Sequence, residues 1–452
     1  MRLIGKMDTL YLAVICGCKG GLFREALHEV YIPQIQRGNA SFAAKVLGAR
    51  GALLSVLAHF FERGSWGLLA EMGIEGQSLT AEDQLFILMQ AGTYLTVTRD
   101  FSAPEARICY ERVDSLCNSI HSPVLLFTAL KGHWRYSLVT DKLTATMRIA
   151  QRVHALANEQ NDSTLMMGGY ALLSVPLYFL GDFEAARQYA RRGVEIWRAG
   201  GVESQDDEVT EHAIGCLFFE ALLEWHFGEI ASCRPTMMEA ITAATELNNM
   251  QALALALWHA GWLAHFERDP AEVERLASDL IELSNRQNFA PFLHRAAVLR
   301  GWARSASGET AEGISWIEDG IGDYQATGSI LDMPFLVALK AEALHLADRT
   351  SDALEAITEA EALVERFENR YWSAELHRLR GIFLATLGAQ ETQIEASFCA
   401  AINTAKKQKS VWVAQRRNCT NCITQVLQPQ ILISTIRRFL GKSLRLRAQS
   451  LP

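Results

Sequence analysis

A repeat of about forty residues, marked by short turn-like triplets, constrains the fold of this chain more than any other feature of its sequence. The triplets begin at Asp141, Gly181, Gly228, Arg268, Gly308, Asp348 and Gly388, at spacings of 40, 47, 40, 40, 40 and 40 residues. The interval of 47 contains the polar, acidic stretch 200–208, which is typical of a surface insertion. Such a period indicates a repeat architecture in which each unit packs against its neighbours.

Each repeat has the pattern of two antiparallel helices. Small residues stand seven positions before the turn, at Gly261, Gly301, Ala341 and Gly381, and five positions after it, at Ala186, Cys233, Gly313 and Ala353. Two helices approach closely only where side chains are small, so a small residue on each arm marks a helix crossing. Apolar residues from Trp372 to Leu387 recur at steps of 3 and 4, which predicts a helix with one buried face.

Length and composition favour a stack of such pairs. The chain has 452 residues, whereas a single core usually serves no more than roughly 250 to 300. It has 10 prolines and 31 glycines, so long helices can run with few breaks. We predict an all-α fold, a right-handed α-solenoid of antiparallel helix pairs with a period of about 40 residues. The predicted divisions are an irregular helical cap at 1–80, the solenoid at 81–410 and a basic, divergent tail at 411–452.

The repeat resembles the tetratricopeptide repeat (TPR), in which a small residue, a Gly-Asp-aromatic turn and an alanine follow in order, as they do at 181–186. More widely, the chain resembles the C-terminal repeat region of large bacterial signalling ATPases, which include adenylate or guanylate cyclases and ATP-dependent transcriptional regulators. The resemblance covers about residues 7–410. The segments that carry it are 30–39, 93–113, 179–197, 299–305 and 374–390.

In that family the repeats look like sensor or scaffold portions that follow a nucleotide-binding domain and an effector domain. Neither of those domains is in this chain. The resemblance therefore implies a non-catalytic scaffold or sensor in bacterial signalling, or, as the alternative, the detached regulatory region of a larger ATPase or cyclase. It fades after Ser410, where an altered reading frame is one possible origin of the sequence.

Charge separates the tail from the rest of the chain. The net charge is −8, but no acidic residue follows Glu395 while ten basic residues do, which leaves −18 on 1–395. An acidic body argues against nucleic-acid binding by the main part of the chain. For the tail, contact with a membrane or nucleic acid, docking on the acidic body and a frayed end all stay open.

The compartment predicted from the sequence is the cytoplasm. Nine cysteines are too few for a disulfide framework, and an odd number suits reducing conditions. No stretch reaches 18 uninterrupted apolar residues, so we expect no membrane span. The apolar run Leu10–Cys18 after two basic residues could imitate a secretion signal, but Asp8 interrupts it and a helical pattern continues beyond it.

Motifs for catalysis and metal binding are incomplete. Gly441-Lys442-Ser443 lacks the glycine that a phosphate-binding loop needs, since Ile436 takes that place. Cys419 and Cys422 have no second ligand pair nearby, and the sequence contains neither HExxH nor GxSxG. The acidic stretch 203–208 could hold a divalent cation, although a solvated insertion explains it better. We therefore predict no enzyme activity, no cofactor and no metal.

The repeat register also predicts a protein-binding groove. The first helices of stacked pairs line the inner face of a solenoid, and aromatic and arginine side chains anchor many interfaces. A competing interpretation is that the tryptophans pack between repeats, and a small-ligand receptor is a weaker one. The predicted groove residues are Lys131, Arg135, Tyr178, Trp225, Trp262, His265, Trp302, His345 and Arg378.

Overall fold

The chain is described from a computed structural model, which covers residues 2–37, 43, 49–62, 65–70, 79–99, 103–200, 207–287 and 289–411. Within these ranges it is helical apart from turns, bends and short connections, and its only β-type pairing is an isolated bridge between Phe61 and Leu69. The predicted all-α class is confirmed for this part of the chain.

The α-helices are numbered in chain order. In the first part they are α1 (Arg2–Lys19), α2 (Phe23–Glu25, continuing into the π-helical Ala26–Gln36), α3 (Arg50–Leu57), α4 (Ala81–Thr98), α5 (Pro104–Leu116), α6 (Pro123–Thr140), α7 (Leu143–Gln160), α8 (Ser163–Leu180) and α9 (Phe183–Arg198). In the second part they are α10 (Asp207–Phe227), α11 (Ile230–Glu246), α12 (Met250–Phe266), α13 (Pro270–Gln287), α14 (Ala290–Ala306), α15 (Thr310–Ala326), α16 (Met333–Leu346), α17 (Thr350–Phe367), α18 (Ser373–Thr386) and α19 (Glu391–Lys407).

The forty-residue period is confirmed by the positions of these helices and of the turns between them. Helices α13, α15, α17 and α19 begin at residues 270, 310, 350 and 391. Six of the seven predicted turn positions have a positive φ, namely Gly181, Gly228, Arg268, Gly308, Asp348 and Gly388, with values from 59° to 102°. This left-handed conformation ends a helix and favours glycine, which explains why glycine marks most of the turns.

The small residues allow the close helix crossings predicted for them. A Cβ atom added to Gly301 of α14 would lie 2.5 Å from the carbonyl oxygen of Gly313 in α15. A Cβ on Gly313 would lie 2.4 Å from the carbonyl oxygen of Gly301. Gly261 differs, because its added Cβ would meet Leu299 of the next first helix and not its own hairpin partner. The small positions therefore serve contacts both within and between pairs.

The described chain divides into two compact units. Unit 1 comprises 1–176, 195–204 and 322–332. In it the pairs α4/α5 and α6/α7 pack as hairpins, and Tyr110 stacks on Tyr136 with ring centroids 4.9 Å apart. The N-terminal helices are less regular than the later repeats, since α2 widens into a π-helix that contains a proline at position 33.

Unit 2 comprises 177–194, 205–321 and 333–452. Its hairpins α10/α11, α12/α13, α16/α17 and α18/α19 stack so that first helices contact first helices and each second helix contacts the next pair. Buried apolar residues run continuously through these helices. A continuous core of this kind lets thin helix pairs stabilise one another.

One described helix, α8, is long and apolar enough to cross a bilayer, with a mean hydropathy of 1.3. Of that segment, 67% is buried within the protein. Burial of this extent is typical of a core helix in a repeat protein.

The predicted divisions at residues 80 and 410 stay predictions. The compact units follow other boundaries, because they group residues by packing and not by repeat content. The predicted tail lies outside the described residues, apart from Val411, and so do Cys419, Cys422 and Gly441–Ser443.

The helix crossing at Gly301 generates a stability prediction. We expect Gly301→Ala to lower the free energy of unfolding by about 1–3 kcal/mol, because its methyl group would overlap the backbone of α15. The matched control is Gly322→Ala, where an added Cβ meets nothing within 4 Å, and it should stabilise the helix by up to about 1 kcal/mol. Urea denaturation of both variants measures the difference, and equal effects would contradict the crossing.

Candidate protein-binding surface

The structure buries most of the residues predicted to line a groove. Lys131 and Arg135 lie in unit 1, where Lys131 is buried and Arg135 is exposed. In unit 2, Tyr178, Trp225, Trp262, His265, Trp302 and Arg378 are buried, and His345 is half-buried.

Among the predicted groove residues, the two tryptophans at equivalent positions of the repeat show this burial most clearly. Trp262 and Trp302 are 0% and 1% exposed, so the expectation that they form an open surface is corrected. They pack within the protein, as the competing interpretation held. A role of the nine residues in binding a partner stays a prediction.

The reason for this burial is an aromatic cluster that fills the inner side of unit 2. Tyr371, in the connection between α17 and α18, stacks on Trp262 with centroids 5.2 Å apart and an interplanar angle of 8°. Trp372 packs on Phe266 at 5.1 Å, and Phe335 contacts Trp262 at 5.0 Å. The space that the register predicts to be a groove therefore holds side chains of the chain itself.

Backbone hydrogen bonds hold the connecting segments in this position. The N–H groups of Arg370 and Tyr371 donate to the carbonyl oxygen of Phe179, at 2.7 and 3.0 Å. Forty residues later, the N–H of Val411 donates to the carbonyl of His226 at 2.8 Å. Each acceptor lies two residues before a glycine turn, so the two contacts are equivalent in the repeat.

The same contact occurs in unit 1. There the N–H of Ile330 donates to the carbonyl of Val139 at 2.8 Å, and Val139 lies two residues before the turn at Asp141. Donors and acceptors thus follow the repeat spacing, including the interval of 47 residues between Phe179 and His226. A connecting segment that returns to the end of an earlier first helix is a regular feature of this chain.

A buried ionic cluster joins successive first helices of unit 2. Glu342 of α16 accepts hydrogen bonds from Arg268, from Nε2 of His265 at 3.3 Å and from Nε1 of Trp302 at 3.3 Å. Glu375 completes the cluster with Arg268 at 3.5 Å.

The second arginine of the cluster is Arg378, which donates to both carboxylate oxygens of Glu375 at 2.7 and 2.6 Å. Two carboxylates and two guanidinium groups balance in charge. A buried carboxylate is tolerated when paired and hydrogen-bonded in this way.

Two buried histidines are held in the neutral form. Burial lowers the pKa of His226 and of His259 to about 3. His226 lies between the hydroxyl of Tyr178 at Nε2 and the hydroxyl of Ser410 at Nδ1, both at 3.2 Å. A neutral imidazole has one donor and one acceptor nitrogen and satisfies both contacts.

The described residues offer little catalytic chemistry. They contain no group of three or more His, Cys, Asp or Glu side chains placed to hold a metal ion. Glu203 and Asp206, two members of the acidic stretch, lie outside the described residues. Burial raises the pKa of Cys109 and Cys216 to about 12, which leaves both thiols protonated and unreactive near neutral pH.

The exposed part of the inner helices lies at their turn-side ends. Leu346 is 50% exposed, Ala306 at the equivalent position is exposed, and His345 is half-buried. The side chain of Arg268, in the corresponding turn after α12, is 35% exposed. We call these four residues the turn-side patch. Of the predicted groove residues in unit 2, His345 alone belongs to it.

The sequence contains a signal for the filled interior that the groove prediction missed. Leu331, Tyr371 and Val411 stand forty residues apart in the connecting segments, where polar residues are the norm. Leu331 and Tyr371 are 8% and 2% exposed, whereas Val411 is 39% exposed. Apolar residues at this phase indicate that the connections at Leu331 and Tyr371 enter the core.

Comparison with known proteins bears on this architecture. No protein-family model matches the chain. A protein of Rhizobium meliloti (strain 1021), described as uncharacterized, is 22% identical over 381 residues, which is 83% of this chain and 36% of that protein. The chain thus spans about a third of the length of this relative.

Among solved structures, a Rap protein in complex with competence and sporulation factor is 12% identical, with a TM-score of 0.57, over 74% of this chain and 90% of that one. The chain has the TPR-like fold. At such low identity the likeness concerns the fold and not the function.

Two further matches add no weight to this TPR-like assignment, because their TM-scores are below 0.5. The quorum sensor NprR from B. thuringiensis is 14% identical, with a TM-score of 0.42, over 72% of this chain and 89% of that one. A signal-transduction ATPase with a tetratricopeptide repeat sensor from Pyrococcus horikoshii is 9% identical, with a TM-score of 0.39, over 75% and 54%.

The burial of Trp262 generates a test of its structural role. Trp262→Ala should lower the free energy of unfolding by about 3–5 kcal/mol, since it removes a large side chain from a packed core. Trp316→Ala, at a half-buried indole beside Arg300, is the control and should cost less. Urea titrations compare the two, and a loss below about 1 kcal/mol for Trp262→Ala would mean that its indole is not packed in the core.

The neutral histidines make stability depend on pH. Since the pKa of His259 falls to about 3 on folding, against roughly 6.5 in the unfolded chain, its contribution is complete above pH 6.5 and is lost as pH falls towards 3. Between pH 7 and pH 5 the loss should be roughly 2 kcal/mol for this residue. His259→Gln should remove that part of the pH dependence, whereas His121→Gln, at an exposed site, should not. Parallel stability curves for all three proteins, from denaturation at both pH values, would contradict this.

Proposed function

We propose that this chain is a non-catalytic protein-binding scaffold or sensor of bacterial signalling, located in the cytoplasm. It binds a segment of a partner protein at the turn-side patch, next to the inner side that the chain itself fills. The observation that carries the proposal is that the chain's own connecting turn 370–372 is held on the inner side by backbone hydrogen bonds and aromatic contacts.

The internal segment supports this function because it shows which chemistry the inner side accommodates. Backbone N–H groups of Arg370 and Tyr371 donate to a helix-terminal carbonyl, while the side chains of Tyr371 and Trp372 are buried on aromatic rings. Main-chain hydrogen bonds combined with side-chain pockets are a recurring mode of peptide recognition. The Rap protein of similar fold was solved in complex with competence and sporulation factor.

The partner contacts the turn-side patch, because the interior is filled. This surface combines an exposed apolar side chain, Leu346, with the half-buried His345 and the cationic Arg268. Apolar and arginine side chains together are common at protein interfaces. The main body takes no part in nucleic-acid binding, in line with its acidic charge.

A second candidate is a detached regulatory region of a larger ATPase or cyclase-type signalling protein. It is favoured by the length of the relative from Rhizobium meliloti, of which this chain covers 36%. The two candidates share the binding surface and differ in what is encoded beside it. An ATPase or cyclase domain in the neighbouring reading frame would favour the second candidate.

The binding function is tested with the whole chain and a matched pair of variants. A partner is identified by cross-linking and affinity purification, and purified partner is then titrated into each protein by calorimetry. Leu346→Asp should weaken binding by roughly tenfold, because it places a charge on the patch. Met238→Asp is the control, since Met238 is 54% exposed, close to the 50% of Leu346, but lies on the second helix α11. Equal affinity of all three proteins would reject the patch as the binding surface.

A further inference from the structure

A side-chain contact between successive helix pairs recurs at the turns of unit 2. The residue just before a turn meets the residue six positions after the start of the previous turn. Phe227 packs in this way under the guanidinium of Arg187, whose Cζ lies 4.8 Å from the ring centroid. Glu267, forty residues later, accepts a hydrogen bond from Nε of Arg234 at 2.9 Å. Each contact joins the end of a first helix to the second helix of the preceding pair.

The same contact is replaced in the next interval and incomplete in the one after it. Glu274 stands at the first of these positions and pairs with Arg304 of α14, at 2.9 Å. At the second, the spacing brings together Ala347 and Ile314. An open cavity of about 390 Å³ lies there, lined by both residues. We call it the Ala347 cavity. It marks a position where the repeat lacks a large side chain.

The lining of the Ala347 cavity favours an apolar occupant. Ala347, Ile314 and Ala311 form its apolar wall, and Glu318 and Arg349 stand at its polar side. Both charges are paired within the chain, since Glu318 contacts Lys340 at 3.0 Å and Arg349 donates to Asp352 at 2.7 Å. An occupant therefore has no buried charge to neutralise, and an apolar side chain suits the site.

The surface around the Ala347 cavity is acidic, whereas the end of the chain is basic. Segments 309–319 and 348–359, which flank the cavity, contain eight acidic residues and one basic residue, a formal charge of −7. Residues 412–452 contain seven basic residues and no acidic one, a formal charge of +7. Five of the seven lie within 436–447, among the apolar residues Ile436, Phe439, Leu440, Leu444 and Leu446. Apolar side chains flanked by positive charge are complementary to an apolar cavity in an acidic surface.

The chain is long enough to bring this segment to the cavity. The N–H of Val411 donates to the carbonyl of His226 at the turn-side end of α10. First helices α10, α12, α14 and α16 contact one another in that order, so at about 8–10 Å per step the end of α16 lies within roughly 30 Å. Residues 412–435 number 24, and a chain of that length reaches up to roughly 80 Å.

We propose that residues 436–447 dock on the acidic surface of their own chain, with the side chain of Phe439 in the Ala347 cavity. Covalent attachment keeps the local concentration of such a segment in the millimolar range. A contact with a dissociation constant of about 1 mM between separate molecules is therefore about half occupied within one chain. Of the roles that the sequence leaves open for the tail, this selects docking on the acidic body.

Docking would regulate the turn-side patch. Ala347 directly follows Leu346, so a segment seated in the Ala347 cavity covers the exposed Leu346 side chain. A partner protein and the tail then compete for the same surface. This consequence rests on the proposed function, whereas the docking itself does not.

The docking is tested in the full chain by photo-cross-linking from Phe439→p-benzoylphenylalanine, with the attachment sites located by mass spectrometry. We expect most cross-links within the chain at 310–318 and 347–349, in a yield that does not change with protein concentration. In 1 M salt the yield should fall at least threefold relative to 0.1 M, because the Debye length falls from about 10 to about 3 Å. Cross-links that join two chains, or that lie elsewhere, would overturn the proposal.

The cavity is tested by filling it. Ala347→Leu introduces the residue type that the next turn has at Leu387, and it should lower the yield of these cross-links at least threefold. The control is Ala231→Leu, at an exposed alanine of α11, which should leave the yield unchanged. Circular dichroism checks that both variants are folded. Equal yields from the two variants would overturn the role of the cavity.

The regulation is tested with the purified partner from the titration above. Phe439→Asp should raise the affinity of the full chain for that partner at least threefold, because the charged side chain leaves the apolar cavity and frees the patch. Equal affinities would overturn the competition. The cross-linking needs no partner, so failure of the docking and failure of the proposed function are read from separate experiments.

Discussion

The return of the connecting segments to the ends of earlier first helices is the contact on which the architecture of unit 2 depends. Stacked helix pairs bury their lateral faces against neighbours, but their inner faces would remain in water. The bonds from Arg370 and Tyr371 to Phe179 place two aromatic side chains on those faces. Tyr371 and Trp372 are 2% and 1% exposed. The inner side thereby becomes a second core.

The polar groups of this second core are arranged to limit the cost of burial. Carboxylates removed from water destabilise a protein unless they are paired, and here Glu342 and Glu375 share Arg268. The buried histidines His226 and His259 carry no charge that would need a partner, since burial keeps both of them neutral. The ionic cluster also links α12, α14, α16 and α18, so it favours one stacking of these helices over alternatives that apolar contacts alone would allow.

The repeat can be predicted from the sequence because it depends on local features. That the groove is filled cannot be predicted in the same way, because it depends on long-range contacts. Helix pairs and turns follow from the phase of small and apolar residues, and Gly308 occupies a left-handed turn because few other residues do so without strain. The same phase placed Trp262 on the inner side. It could not show that Tyr371, more than one hundred residues later, covers that indole, because periodicity fixes the face of a helix but not how tightly the solenoid winds.

The filled interior decides where a partner can bind. Displacing Tyr371 and Trp372 would expose roughly 150–250 Å² of each side chain, which at about 25 cal/mol per Å² costs roughly 8–12 kcal/mol for the pair. A ligand with a dissociation constant near 1 μM has only about 8 kcal/mol of binding free energy. A segment that replaced these residues would have to supply this cost in addition to its net binding free energy. The ends of α14 and α16 require no displacement of core residues, since Leu346 and the neighbouring cavity are already open to solvent. Binding at the turn-side patch is favoured because the chain has occupied the inner side with its own sequence.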